Sequence, residues 1–238
     1  MYELNKCVAV ILLFCGFVVF AQDYGTIQYS MERFEQYTNP RIVKHDKEGN
    51  LKEKFRLDSI AMAEFDGTKN YFTLDFDTES VHFYINDLDY YLLQLIQLNI
   101  TTSTRNFYKN RVEDKNFILH DFSEGNPHLV ESDIFSNREW TITEETKEIK
   151  GYTCKKAVLI EEFESDYPTY VWFTEEIDLN YGLLSLNGLP GVVLGLETNH
   201  VYIFANEIDF ENKPNIKWPE LQKLNYEDHI LMMGYKFD

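Results

Sequence analysis

The sequence predicts a mainly β protein built on one large antiparallel sheet, with a short helix close to its C-terminus. Three observations predict it. Short runs in which apolar and polar residues alternate follow one another with turn residues between them, as hairpins in succession require. Aromatic residues make up 16% of the chain, mostly Tyr and Phe, which favour strands. The clearest helical spacing comes late, over residues 220–233, where Leu221, Leu224, His229 and Met232 fall on or near one side.

Taken in order, residues 1–21 precede the fold. A weakly basic start (Lys6 and the amino terminus against Glu3) leads into an unbroken apolar run, residues 7–20. The run ends Val19-Phe20-Ala21, with small residues where a signal peptidase reads. Cleavage after Ala21 leaves Gln22 as the mature terminus. The run is too short to span a bilayer comfortably and has no basic flank on its far side, which argues against a retained anchor. A lipoprotein signal fails because Cys15 follows Phe14, where a small residue is needed. Removing 21 of 238 residues leaves 217, and no Gly/Ser-rich linker or internal repeat divides them, so residues 22–238 read as one domain.

Residues 25–34 alternate through Ile27, Tyr29 and Met31 and form the first strand; residues 37–56 are polar and read as a loop. Residues 70–77 and 80–86 carry Phe72, Leu74, Phe76 and then Val81, Phe83, Ile85, with Thr78-Glu79 as the hairpin turn. Residues 87–98 fit a short helix capped by Asp87, although their Tyr and Ile content also suits a strand. Two short strands follow at 105–108 and 116–122, then a polar turn over 123–127. Strands are predicted at 139–143 and 152–163 with a turn over 147–151 between them, and at 170–175. Next comes Gly188-Leu189-Pro190-Gly191, where Pro190 fixes φ and Gly191 is expected to supply the positive φ of a type II turn. The apolar run after it is a buried strand to Glu197; residues 198–200 turn and 201–210 return. Residues 214–219 are a loop. A sheet of this many strands must curl, close or be covered.

The net charge of −18 removes nucleic acid from the partner classes, since phosphate binding needs a basic stripe. After cleavage no apolar stretch is left to span a membrane, and Cys154 is the one cysteine that remains, so no intramolecular disulfide forms and packing must stabilise the domain.

Several segments in order resemble one family. They are Trp140-Thr141-Ile142-Thr143, then Gly151-Tyr152, Cys154 and Lys156-Ala157, then 170–177 with Trp172, then Gly188-Leu189-Pro190-Gly191. This series is similar to the GLPGLI family, exported proteins of Bacteroidota. The chain departs from it at Gly191-Val192-Val193-Leu194, where Gly-Leu-Ile-Leu is usual, and at Tyr181-Gly182-Leu183, where a Gly-Pro pair is common. The resemblance implies a curved sheet or half-barrel like that of periplasmic lipoprotein carriers. It implies no catalytic residue and no cofactor.

Candidate chemistry is sparse. Cys154 with His120, His128, His200 or His229 would make a thiol nucleophile and base, yet Cys154 sits mid-strand without an oxyanion turn, as a buried small hydrophobe does. Asp75, Asp77 and Glu79, or His229 with Met232 and Met233, are the only footholds for metal, and neither has a cation loop's form. Glu161, Glu162, Glu164 and Asp166 crowd a hairpin tip, where charge serves solubility. Tyr170, Trp172 and Phe173, with Trp140 and Tyr152, are the candidate binding surface for a lipid, peptide or envelope protein; an aromatic core is the plain alternative. The expected function is therefore a non-catalytic binding or accessory module of the cell envelope. Its rivals are an enzyme using Cys154 or the acidic residues, and a metal carrier.

Overall fold

A computed structural model describes residues 22–33, 66–86, 105–121, 127–131, 138–160, 170–197 and 201–232. The signal segment, the loop over 37–56, the segment 87–98, most of the turn over 123–127, the acidic tip over 161–166 and the turn at 198–200 all lie outside these residues. The described chain is mainly β: an open twelve-stranded sheet and one short helix.

The strands are β1 (Gly25–Arg33), β2 (Phe72–Phe76), β3 (Ser80–Ile85), β4 (Asn106–Asn110), β5 (Lys115–His120) and β6 (His128–Glu131) in the first half. β7 (Trp140–Ile149), β8 (Tyr152–Leu159), β9 (Tyr170–Thr174), β10 (Val192–Glu197), β11 (Val201–Asp209) and β12 (Lys223–Leu224) complete the sheet, and α1 (Tyr226–Met232) ends the described chain. Their order across the sheet is β12-β6-β5-β4-β3-β2-β1-β11-β10-β9-β8-β7. Two meanders thus run outward from the centre, and β1 joins them by pairing β2 on one side and β11 on the other. All neighbours are antiparallel except β12, which adds to β6 in parallel. The two end strands, β12 and β7, do not pair, so the sheet is not a closed barrel.

Period-two alternation explains the pairing. Ile27 faces Leu74, Leu74 faces Phe83, and Phe83 faces Phe107, so one row of apolar side chains crosses four strands on a single face. On the other side of β1, Met31 opposite Ile203 and Leu196 opposite Val171 continue it. Most of these residues are fully buried. The segment between β9 and β10 adds Ile177, Leu179, Tyr181, Leu183 and Leu189 to the same core. Tyr29 donates from its Oη to the carbonyl of Val193 at 2.9 Å, tying the central strand to β10 across β11.

The Gly-Leu-Pro-Gly corner works differently from its expectation. Gly191 does not take a positive φ; Gly188 does, at 105°. What Gly191 supplies is room: a Cβ there would stand 2.1 Å from the carbonyl oxygen of Thr174, the last residue of β9. At Gly188 a Cβ would stand 2.4 Å from the carbonyl of Arg138. Between them Trp140 Nε1 donates to the Asn187 carbonyl at 2.9 Å, and Asn187 Oδ1 accepts from the Gly182 amide at 2.8 Å. The corner is therefore a place where three backbone segments touch, and the expected buried strand follows it directly.

Other expectations shift. β7 runs on to Ile149, and its turn is the pair Lys150-Gly151 with φ of 51° and 84°, as a tight two-residue hairpin needs. β6 was not predicted. The helix begins at Tyr226 rather than 220, because Lys223 and Leu224 are extended beside β6 and Asn225 caps the helix by accepting from the Asp228 amide at 2.7 Å.

Replacing Gly191 by Ala should cost about 3 kcal/mol or more, since the methyl meets backbone and not a flexible side chain. Gly151→Ala should cost only about 1 kcal/mol, because its positive φ is strained but nothing lies within 4 Å of the added methyl. Urea unfolding of both variants checks the contrast. Equal losses would remove the close-contact account of the corner.

Candidate functional site

The face of the sheet opposite the main core carries its own cluster over β7 to β11. Register puts Lys147 opposite Cys154, Lys156 opposite Trp172, Trp172 opposite Gly195, and Glu197 between Tyr170 and Tyr202. All these positions share one face. Gly195 leaves the gap they fill, since a Cβ there would come within 3.2 Å of both Ile149 Cδ1 and Tyr202 Oη.

At the centre, Glu197 Oε1 accepts from Trp172 Nε1 at 2.7 Å and from Lys147 Nζ at 3.0 Å. The Lys147 ammonium lies over the Trp172 ring at 4.2 Å and over the Tyr202 ring at 4.3 Å. Lys156 covers Tyr170 at 4.5 Å and reaches Glu145 at 3.2 Å. Tyr202 and Phe204 stack at 5.2 Å. Charge-assisted hydrogen bonds and cation–π contacts in this partly dry setting fix the rings in place. Burial, then the Glu197 carboxylate, pushes the Tyr202 hydroxyl far above its ordinary pKa, so it stays a neutral donor. The result is a rigid ledge of half-buried rings edged by a carboxylate and two ammonium groups. Such a surface can hold a ligand that is flat and apolar on one side and hydroxylated at its rim.

The expected binding surface needs one correction. Tyr170 and Trp172 belong to the ledge, but Phe173 is fully buried in the main core on the other face, as the alternation of β9 demands. Trp172 is itself only 7% exposed, so it anchors the ledge while Tyr170, Tyr202 and Phe204 form its open part. Trp140 and Ala157 lie with the core face, and Tyr152 borders the ledge. Tyr202 and Phe204 were missed, although their alternation along β11 marks them as sharing a face.

Cys154 is buried on the ledge side with its thiol near the Tyr152 carbonyl at 3.6 Å. Burial pushes its pKa up to about 11, and the nearby Lys147 ammonium only partly offsets this. His120, His128 and His229 gather at the far end of the sheet, on β5, β6 and α1, so none stands beside the thiol as a base; His200 lies outside the described residues. His128 Nε2 and His229 Nδ1 share a hydrogen bond of 3.0 Å, and the His120 ring lies 4.4 Å from that of His229. No group of three His, Cys, Asp or Glu side chains among the described residues is arranged for a metal ion. Asp75 instead accepts from Thr26 Oγ1, Asp77 caps the β2–β3 turn, and Met232 is 44% exposed while His229 is buried; Met233 lies outside the described residues.

An open acidic cleft of about 420 Å³ lies beside the corner, lined by Glu175, Glu176, Asp178, Pro190 and Gly191. Two of its carboxylates are already engaged: Glu175 with Lys155 at 2.8 Å and Glu176 with the Thr153 amide at 2.9 Å. No helix among the described residues is long and apolar enough to cross a membrane.

A family model described as "N-glycanase peptide, N-terminal domain" matches residues 95–230. Two solved structures of PNGF-II, in different space groups, resemble the fold at TM-scores of 0.53 and 0.54 with 14% identity. Each alignment covers 89% of this chain but 32% and 33% of the solved chains, so the chain spans about a third of their length. A comparison with curated proteins gave no match.

With its thiol buried and protonated, Cys154 should react with a small alkylating reagent at neutral pH at least ~100-fold more slowly in the native protein than in urea. Mass spectrometry of timed samples measures this. Labelling at the unfolded rate would show a thiol that is neither covered nor raised in pKa.

Proposed function

The chain belongs to the N-glycanase peptide, N-terminal domain family, and we propose on that footing that it is a non-catalytic binding module that recognises carbohydrate carried on protein. The observation that carries this reading is the ledge: Tyr170, Tyr202 and Phe204 offer ring faces, and Glu197, Lys147 and Lys156 stand at their edges. Sugars present C–H faces that pack on aromatic rings and hydroxyls that pair with charged groups, so this chemistry suits them. The family description and the PNGF-II likeness support a glycan rather than a lipid as the occupant. The raised thiol of Cys154, remote from the histidine cluster, supports a role in holding rather than cleaving.

Export belongs to the same proposal. Residues 1–21 have the build of a signal peptide, and the Gly-Leu-Pro-Gly corner supports kinship with exported GLPGLI proteins and a place in the periplasm or outer envelope.

Calorimetry with an N-linked glycopeptide tests the site. Binding should weaken about 10-fold in Tyr170→Ala and in Phe204→Ala, each losing one stacking surface. No heat with the native protein, or native affinity in both variants, would reject the ledge as the site. Release of free glycan during the same incubation would reject the non-catalytic role. Protein recovered from the cell envelope should begin at Gln22 by mass; intact Met1 in the cytoplasm would end the export reading.

A further inference from the structure

The C-terminal segment binds the sheet in an unusual way. Trp218 packs on Tyr108 and Phe117 on the ledge face and donates from Nε1 to Ser80 Oγ at 2.9 Å. β12 then adds to the β6 edge, with the Leu129 amide donating to the Gln222 carbonyl at 2.9 Å. Beyond it, α1 reaches the opposite face, since His229 meets His120 and His128, which share the face of Ile118 and Val130. Residues 218–229 therefore fold round the sheet edge like a clasp.

A helix ordinarily docks through apolar side chains. Here the one buried residue of α1 is His229, 6% exposed, while Leu231 and Met232 are 54% and 44% exposed. His229 is held by His128, itself 1% exposed, through a hydrogen bond in which one imidazole donates and the other accepts. If both rings carry two protons, two donors face each other at 3.0 Å and the bond is lost. His120 stands directly opposite His128 on β5 and would add a third like charge.

We propose that this clasp is acid-releasable: α1 stays docked while one ring of the His128–His229 pair can accept from the other, and leaves the sheet in acid, when that acceptor is lost. Its hydrogen-bond logic needs no ligand and is independent of the carbohydrate reading. The shifts agree in direction. Burial, then His229 and His128, lowers His120 to about 4, and burial followed by His128 lowers His229. Groups held below their ordinary value of ~6.5 disfavour protonation in the docked state, so docking is complete above that pH and fades as pH falls from there toward 4.

The charged residues described near the cluster are placed as follows. On α1, Asp228 is bonded to the Asn225 amide group, and Glu227 is exposed. On β12, Lys223 lies over Phe117 and Trp218 on the other face. On β5 and β6, Lys115 pairs with Glu131 at 2.9 Å, and Asp121 follows β5 as an exposed residue.

Hydrogen exchange of the full chain, corrected for intrinsic pH dependence, tests the idea at about pH 7.5 and about pH 5. Protection over residues 226–232 should fall by ~10-fold or more at the lower pH, while β1, β2 and β3 keep theirs. His229→Phe should hold α1 docked at both pH values. A flat profile in the native protein overturns the proposal whether or not the variant folds. So does an acid response that survives in His229→Phe.

Discussion

The structure depends on the closeness of two backbones at the end of β9 and the start of β10. Thr174 and Gly191 stand so near that the carbonyl of one occupies the place where the other would carry a methyl. From this contact β10 leaves in register with both β9 and β11, and β11 in turn holds β1. Each neighbour inherits its position from the last, so a shift of a few tenths of an ångström at the corner is felt across the sheet. Trp140 and Asn187 close the corner from the β7 side, which ties that strand to it as well.

The sheet is strongly two-sided. One face is continuous core from β5 to β8; the other carries two separate aromatic groups, the ledge on β7 to β11 and the Tyr108–Phe117–Trp218 group on β4 and β5. Because side chains alternate, a single strand such as β9 serves both: Val171 and Phe173 stabilise the fold, while Tyr170 and Trp172 build the ledge. Lys147 shows how polar groups are fitted into this second face. It lies against two rings and meets Glu197, so this half-buried charge has three favourable partners on the ledge.

Much of this was legible in the sequence. The hairpin at 72–85 was readable because its alternation is strict and its turn short, and the one at 192–209 because an unbroken apolar run leads into an alternating strand. The separation of Phe173 from Trp172 was already implied by their adjacency. Gly191 was misread for a physical reason: a Pro-Gly pair looks the same whether glycine is needed for its φ or for its missing side chain, and only the position of Thr174, far away along the chain, decides. β6 escaped because four residues carry too little pattern. The helix was drawn too long because Leu221 and Leu224 have helical spacing yet serve an extended edge segment. The histidine cluster was out of reach, since it joins residues separated by 101 positions through β6 and α1.

The central place of β1 has a consequence for how the molecule is made. Its partner β11 lies near the other end of the chain, with Arg33 against Val201 and Thr26 against Asp209. Neither meander can be closed on its inner side until residues 201–209 are in place, and pairing over so long a loop is slow. Until β11 is in place, the inner edge of β1 has no strand to pair with among the described residues.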